Sequence, residues 1–119
     1  RERDLEGLKC TIPIAADESV QGLVDIEGLV GRFDFVNIKL DKCGGLTEAL
    51  EMAAAARRVD LGVMVGNMVG TSLAMAPAFI LGQVCDIADL DGTIFIVRDR
   101  TPAMIFDQGR VYYPDNGWG

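Results

Sequence analysis

The chain contains no histidine. A Ser-His-Asp or Cys-His catalytic apparatus within it is therefore excluded, as is any histidine-ligated metal. Cysteine is scarce: Cys10, Cys43 and Cys85 are odd in number and widely spaced, and no Cys-x-x-Cys occurs. This pattern builds neither a disulfide framework nor a zinc site, and it suits reduced thiols in a cytoplasmic protein. No apolar run reaches membrane-crossing length; the most apolar, Leu73 to Val84, is interrupted by Pro77 and Gly82. The charged start, Arg1-Glu2-Arg3-Asp4-Leu5-Glu6, is not followed by an apolar core, so no secretory signal is read there. A basic stripe is also missing. With 11 basic against 18 acidic residues the net charge is −7, which argues against nucleic acid as a partner. The Gly66–Gly70 stretch could offer backbone N–H groups to an anion, but without a Gly-Lys-Ser/Thr ending it is not a P-loop.

What is present is a strand–helix rhythm. Half of the 119 residues are hydrophobic, enough for the core of one ordinary domain. The organising stretch is Val36-Asn37-Ile38-Lys39-Leu40-Asp41-Lys42-Cys43-Gly44-Gly45: a β-branched run ending in charge, then two glycines. It predicts a buried strand over Phe35–Leu40, a tight turn, and an alanine-rich crossover helix over Leu46–Arg58. Arg57 and Arg58 suit that helix's C-terminal dipole. Further strands are predicted at Ile12–Ala16, with Pro13 near the start, at Gly62–Gly66, and at Cys85–Ala88. Asp25 to Val30 has helical character, weakened by Gly28 and ended by Gly31. A helix of about a dozen residues running to Val84 follows the third strand and tolerates Pro77 in its first turns. Ile94–Val97 and Gly109–Tyr113 read as a closing strand pair, and Pro114–Gly119 as an irregular tail. Arg1 to Leu8 reads as the end of an amphipathic helix with no initiating methionine before it, so the expectation is a piece of a longer protein.

Function in parallel α/β proteins sits at the carboxyl ends of the strands. Asp17, Lys39, Asn67 and Asp89 fall at four successive predicted strand ends, 22, 28 and 22 residues apart, with Asp91 close behind. Each alone has an ordinary explanation. Lys39 can reach solvent with its long stem. Asp17 and Glu18 can favour a following helix N-terminus. Asp89-Leu90-Asp91-Gly92 is common turn chemistry. Four in succession mark a site on one edge of the sheet. The fold class this predicts is α/β, with parallel (β/α) units of a barrel or doubly wound sheet.

Three segments together carry a family resemblance: Ala15-Ala16-Asp17-Glu18-Ser19; Asn37-Ile38-Lys39-Leu40-Asp41-Lys42-Cys43-Gly44-Gly45-Leu46; and Gly66-Asn67-Met68. They resemble the enolase superfamily, in its muconate-lactonizing and mandelate racemase-like branch, closest to the dipeptide epimerases. The resemblance covers about Leu8 to Gly119 and implies the C-terminal half of an enolase-type TIM barrel. Residues 1–119 would then be a partial barrel domain, without the N-terminal capping domain, the first barrel strands, the Lys-x-Lys strand end or the two further acidic metal ligands. Gly70 departs from the glutamate many relatives carry there.

The resemblance implies removal of the proton α to a carboxylate, with the enediolate stabilised on Mg²⁺. Such a carbon acid is too weak for a base alone, and a divalent cation lowers the cost of the developing charge. Asp17 matches a metal ligand and Lys39 the acid/base. Glu18 and Asp41 are expected behind them, orienting Asp17 and Lys39. Asp89 and Asp91, with Asn67, match the substrate-binding positions; in dipeptide epimerases a similar acidic pair holds the substrate's α-ammonium. The implied substrate is a small-molecule carboxylate, a dipeptide. The alternatives are a muconate-type cycloisomerase, an o-succinylbenzoate synthase, or an isolated non-catalytic domain. Taken alone, the chain is expected to be inactive, to bind Mg²⁺ weakly, and to form a homo-oligomer, a symmetric dimer covering an inner sheet face rich in Ile, Val and Met.

Overall fold

Side chains alternate between two faces along strand β2, Phe35–Lys39. Val36 and Ile38 are fully buried on one face, and Phe35, Asn37 and Lys39 share the other. The structure, a computed structural model, describes residues 2–117. The last two residues of the expected tail, Trp118 and Gly119, lie outside them. β2 pairs in parallel with β1 (Ala15–Ala16) and β3 (Gly62–Gly66), and β3 pairs in parallel with β4 (Ile87–Ala88), giving the order β1-β2-β3-β4. β1 is shorter than expected, and Pro13, which has no N–H to give a ladder, falls before it.

Between β2 and β3 run a short helix α1 (Leu40–Cys43) and the crossover helix α2 (Leu46–Arg58); helix α3 (Ser72–Gly82) follows β3. Ala49, Met52 and Ala56 of α2 and Ala78 and Leu81 of α3 form one core with Val36, Ile38, Val63 and Val65. Small alanines on the inward helix face bring α2 close to the sheet. Gly44, at φ 88°, ends α1 in the left-handed region, and Gly45 at φ 140° redirects the chain into α2. Leu40 therefore opens α1 instead of closing β2, as the sequence had suggested.

The strand starts are held by carboxylates. Asp34 Oδ2 accepts from Ile14 N at 2.8 Å. Asp86 Oδ2 accepts from Val63 N at 2.8 Å, and Arg57 clamps the same carboxylate at 2.6 and 2.9 Å. Hydrogen bonding by Arg57 and by the Val63 N–H holds Asp86 below the usual carboxyl range. At the start of α3, Ser72 donates through its N–H (2.9 Å) and its hydroxyl to Asp99, and its Oγ accepts from Met104 N at 2.8 Å, fastening the C-terminal segment to the helix.

Two expectations are corrected. Ile94–Val97 is not a strand: a 3-10 turn spans Gly92–Phe95, and Ile94 N donates to Asp91 O. The hairpin is β5 (Ile105–Asp107) with β6 (Arg110–Tyr112), joined through Gln108 and Gly109, both at positive φ as two-residue hairpin turns require. Nor is the open sheet face rich in Ile and Val. It carries Ala15, Phe35, Asn37, Lys39, Gly62, Met64, Gly66 and a single β-branched residue, Ile87, because the valines and isoleucine of β2 and β3 take the face the helices cover. Leu23–Leu29 forms a 3-10 helix, with Asp25 accepting from Gln21 N and Gly22 N at its start. Among the described residues, no helix is long and apolar enough to cross a membrane.

Candidate active site

Because β1 to β4 are parallel, their carboxyl ends share one edge of the sheet. Asp17 follows β1, Lys39 ends β2, Asn67 follows β3 and Asp89 follows β4. Lys39 Nζ lies 2.8 Å from Asp17 Oδ2 across the β1–β2 boundary. The other carboxylate oxygen, Oδ1, is 2.6 Å from Lys42 Nζ, which also donates to the Asp17 main-chain oxygen at 2.9 Å. Burial alone would push Asp17 upward. Hydrogen bonds from Lys39 and Lys42, together with their charges, outweigh it and hold the carboxyl below its ordinary value of 3.8.

The lysine stem is seated by a missing side chain. A Cβ at Gly66 would lie 2.7 Å from Asn37 Oδ1 and 3.1 Å from Lys39 Cε. Gly66 thus leaves room for both β2 side chains on the open face. Asn37 is buried, and its Oδ1 has no hydrogen-bond partner among the described residues.

The other site residues are distributed along the same edge. Glu18 is largely exposed and reaches Lys42 at 3.6 Å, not Asp17. Asp41 accepts from Met68 N at 3.4 Å, tying α1 to the loop after β3. Asn67 Nδ2 donates to Met68 O at 3.0 Å. Asp89 is placed by its N–H on Val65 O at 2.9 Å, and Asp91 begins the 3-10 turn. Gly92 packs against Asn67 so closely that a Cβ there would be 2.5 Å from Nδ2. The two acidic side chains are exposed, beside a groove of about 310 Å³ between their turn and the β5–β6 hairpin. The structure therefore joins Asp17 to Lys39 and sets Asn67 against the Asp91-Gly92 turn. It shows no direct bond from Asp89 or Asp91 to the lysine pair.

Lys42 is the residue that sequence reasoning did not single out. Its side chain is 8% exposed, less than the 14% of Lys39. The available signal was a second lysine three positions on, just before two glycines. Cys85, by contrast, is not a nucleophile candidate, because burial pushes its thiol up to about 11.

Asp17 is ionised and attracts cations, so it suits one position of a divalent-cation site. One carboxylate is not such a site, however. Among the described residues, no group of three or more His, Cys, Asp or Glu could hold a metal. The residues present do not make a magnesium site on their own.

Comparison with known proteins fits this arrangement. The chain is 44% identical over 100 residues to an N-acetyl-D-glutamate racemase from a Pseudoalteromonas species, covering 84% of this chain and 32% of that protein. It superposes at a TM-score of 0.91, with 46% identity, on a crystal structure of an enolase family member from Agrobacterium tumefaciens with homology to dipeptide epimerases, holding sodium and L-Ala-L-Glu; 99% of this chain and 36% of that one are covered. A dipeptide epimerase from Methylococcus capsulatus, complexed with Mg and L-Arg-D-Lys, gives a TM-score of 0.82 at 32% identity, covering 92% and 34%. The chain thus spans about a third of the length of these relatives. Its parallel (β/α) units correspond to the C-terminal part of their barrel. The sequence model of the enolase C-terminal domain-like family matches residues 2–119, and the chain belongs to that family.

Proposed function

We propose that this chain is the C-terminal barrel portion of a Mg²⁺-dependent racemase or epimerase that exchanges the proton α to a carboxylate, acting on a dipeptide. The observation that carries the reading is the Lys39–Asp17 pair at adjoining strand ends, 2.8 Å apart. Support comes from a structure superposable over 99% of the chain that holds L-Ala-L-Glu. In this reading Lys39 removes or returns the α-proton on one face of the substrate carbon, with its stem seated on Gly66 and its terminal nitrogen at the carboxyl end of β2 beside Asp17. Asp17 is one ligand of the magnesium site. The remaining ligands, the capping domain and the opposing base belong to the two thirds of the relatives' length that this chain does not span. Glu18 and Asp41 act through Lys42 and the loop after β3. Asp89, Asp91 and Asn67 bind the substrate, with the acidic pair facing its α-ammonium.

A second reading rests on the similarity to the N-acetyl-D-glutamate racemase. An N-acylated amino acid has no ammonium for Asp89 and Asp91 to hold, so the pair itself discriminates between the two readings. The free cysteines support a reducing, cytoplasmic compartment. The chain in isolation is inactive and pairs with itself. Its radius of gyration, 15.1 Å, exceeds the roughly 13.5 Å of a compact chain this long, in keeping with an open sheet.

The test is α-proton exchange in deuterated water, followed by mass spectrometry, with L-Ala-L-Glu and Mg²⁺ and the intact protein that carries this chain. Exchange should occur, and Lys39→Ala should abolish epimerisation while substrate still binds. Unchanged turnover in Lys39→Ala would remove Lys39 from the reaction. Absence of exchange with both dipeptides and N-acyl amino acids would reject the reading as a whole.

A further inference from the structure

The two oxygens of Asp17 are held differently. Among the described residues Oδ2 meets only Lys39, at the end of β2. Oδ1 meets Lys42, whose ammonium also holds the main-chain oxygen of Asp17 and lies 3.6 Å from Glu18. Two hydrogen bonds to Asp17 and the longer Glu18 contact surround a nearly buried ammonium, so both short bonds fall on one residue. A lysine that only balanced charge would be expected in solvent, because desolvating an ammonium is expensive. The Asp17–Lys39 contact alone leaves the cost of a second buried cation unexplained.

We propose that Lys42 is a positioning residue that anchors Asp17 through Oδ1 and the main-chain oxygen, so that a single oxygen, Oδ2, is presented to Lys39 and to the site. This inference rests on the assignment of Lys39 as the acid/base. Anchoring divides the carboxylate into a fixed oxygen and a working one. Lys39 can then leave Oδ2 without Asp17 turning, since Lys42 still holds the other side. Without Lys42, Asp17 can rotate to give both oxygens to Lys39, which would sequester the base. The Gly44-Gly45 reversal confines α1 to four residues and keeps Lys42 one turn beyond Lys39, within reach of β1.

The experiment combines amine acylation, read residue by residue by mass spectrometry, with steady-state kinetics on the intact protein. In the wild type, Lys42 should acylate about tenfold more slowly than Lys39, since it makes further charge-assisted contacts. In Lys42→Gln, Lys39 should acylate several-fold more slowly. Its kcat should fall by about 10²-fold, the loss expected when a catalytic group is displaced by an ångström, with little change in KM. Lys42→Arg, which keeps charge and donors, should recover most of both. Equal acylation of Lys39 and Lys42 in the wild type overturns the proposal. So does a folded Lys42→Gln with normal Lys39 acylation and normal kcat, even at lowered thermal stability. If Lys42→Gln does not fold, the wild-type ratio and Lys42→Arg decide. If the wild type turns over no substrate, the epimerase reading fails, and the acylation ratios alone judge the anchoring.

Discussion

Replacing Gly92 by alanine would test how the acidic turn is seated beside the loop after β3. A Cβ at this buried position would lie 2.5 Å from Asn67 Nδ2, 2.6 Å from Met68 O and 2.6 Å from Met75 Cε. Ordinary contact begins at 3.4 Å, so the surroundings must open by close to an ångström. Met75 can swing its terminal methyl. The Met68 carbonyl is backbone, and Asn67 is hydrogen-bonded to it, so those two move together. Overpacking costs about 1–3 kcal/mol, and two stiff neighbours of three put this case in the upper half, about 2–3 kcal/mol. At about 4 °C per kcal/mol for a unit of this size, the loss is roughly 10 °C in Tm. The same displacement separates Asp91 from Asn67, so kcat/KM for a dipeptide with a free α-amino group should fall by about 10–10²-fold. Thermal and urea unfolding read the first effect, and steady-state kinetics the second. Gly31→Ala is the control: its φ of +80° penalises a side chain, but nothing lies within 4 Å and it is away from the acidic groove, so it should cost stability and leave KM alone. A Gly92→Ala protein with wild-type Tm and wild-type kcat/KM would refute the reasoning.

The remaining predictions concern the acidic pair, the opposite sheet edge and the isolated chain. Asp89→Asn with Asp91→Asn should raise KM for dipeptides bearing a free α-amino group and spare N-acylated analogues; equal losses for both would mark the pair as a turn only. Asp86→Asn should weaken the Arg57 clamp. Because the folded carboxyl value is lowered, the clamp's contribution is complete above 3.8 and fades as pH falls through the lowered value. The urea midpoints of wild type and variant should therefore differ near neutrality and converge in strong acid, and a pH-independent difference would contradict the assignment. The 119-residue chain alone should sediment as a dimer that dissociates on dilution, and a monomer at every concentration would end the self-association proposal.

The strand ends were legible because a parallel crossover constrains its own length. Asp17, Lys39, Asn67 and Asp89 could be placed on one edge by counting, since helices of fixed rise must return the chain to the same side of the sheet. β2, β3 and α2 were equally readable from their periodicity. The hairpin was harder. Ile94–Val97 has the composition of a strand, but among the described residues no strand pairs with it. Gln108-Gly109, the true turn, contains a glutamine at φ 45° that no turn preference announces. The open face was misjudged because composition counts valines without saying which side of the pleat they take.

Lys42 shows the same limit at the site itself. With the strand expected to run through Leu40 into a tight turn, Lys42 fell in that turn, where no periodicity sets its direction relative to Lys39. In a helical turn, residues three apart lie on the same side. The chain leaves the extended conformation immediately after Lys39, at Leu40. That one-residue difference in where the strand ends brings a second ammonium onto Asp17. Strand boundaries are the least readable feature of a sequence, so a role that depends on one could only be found in the structure.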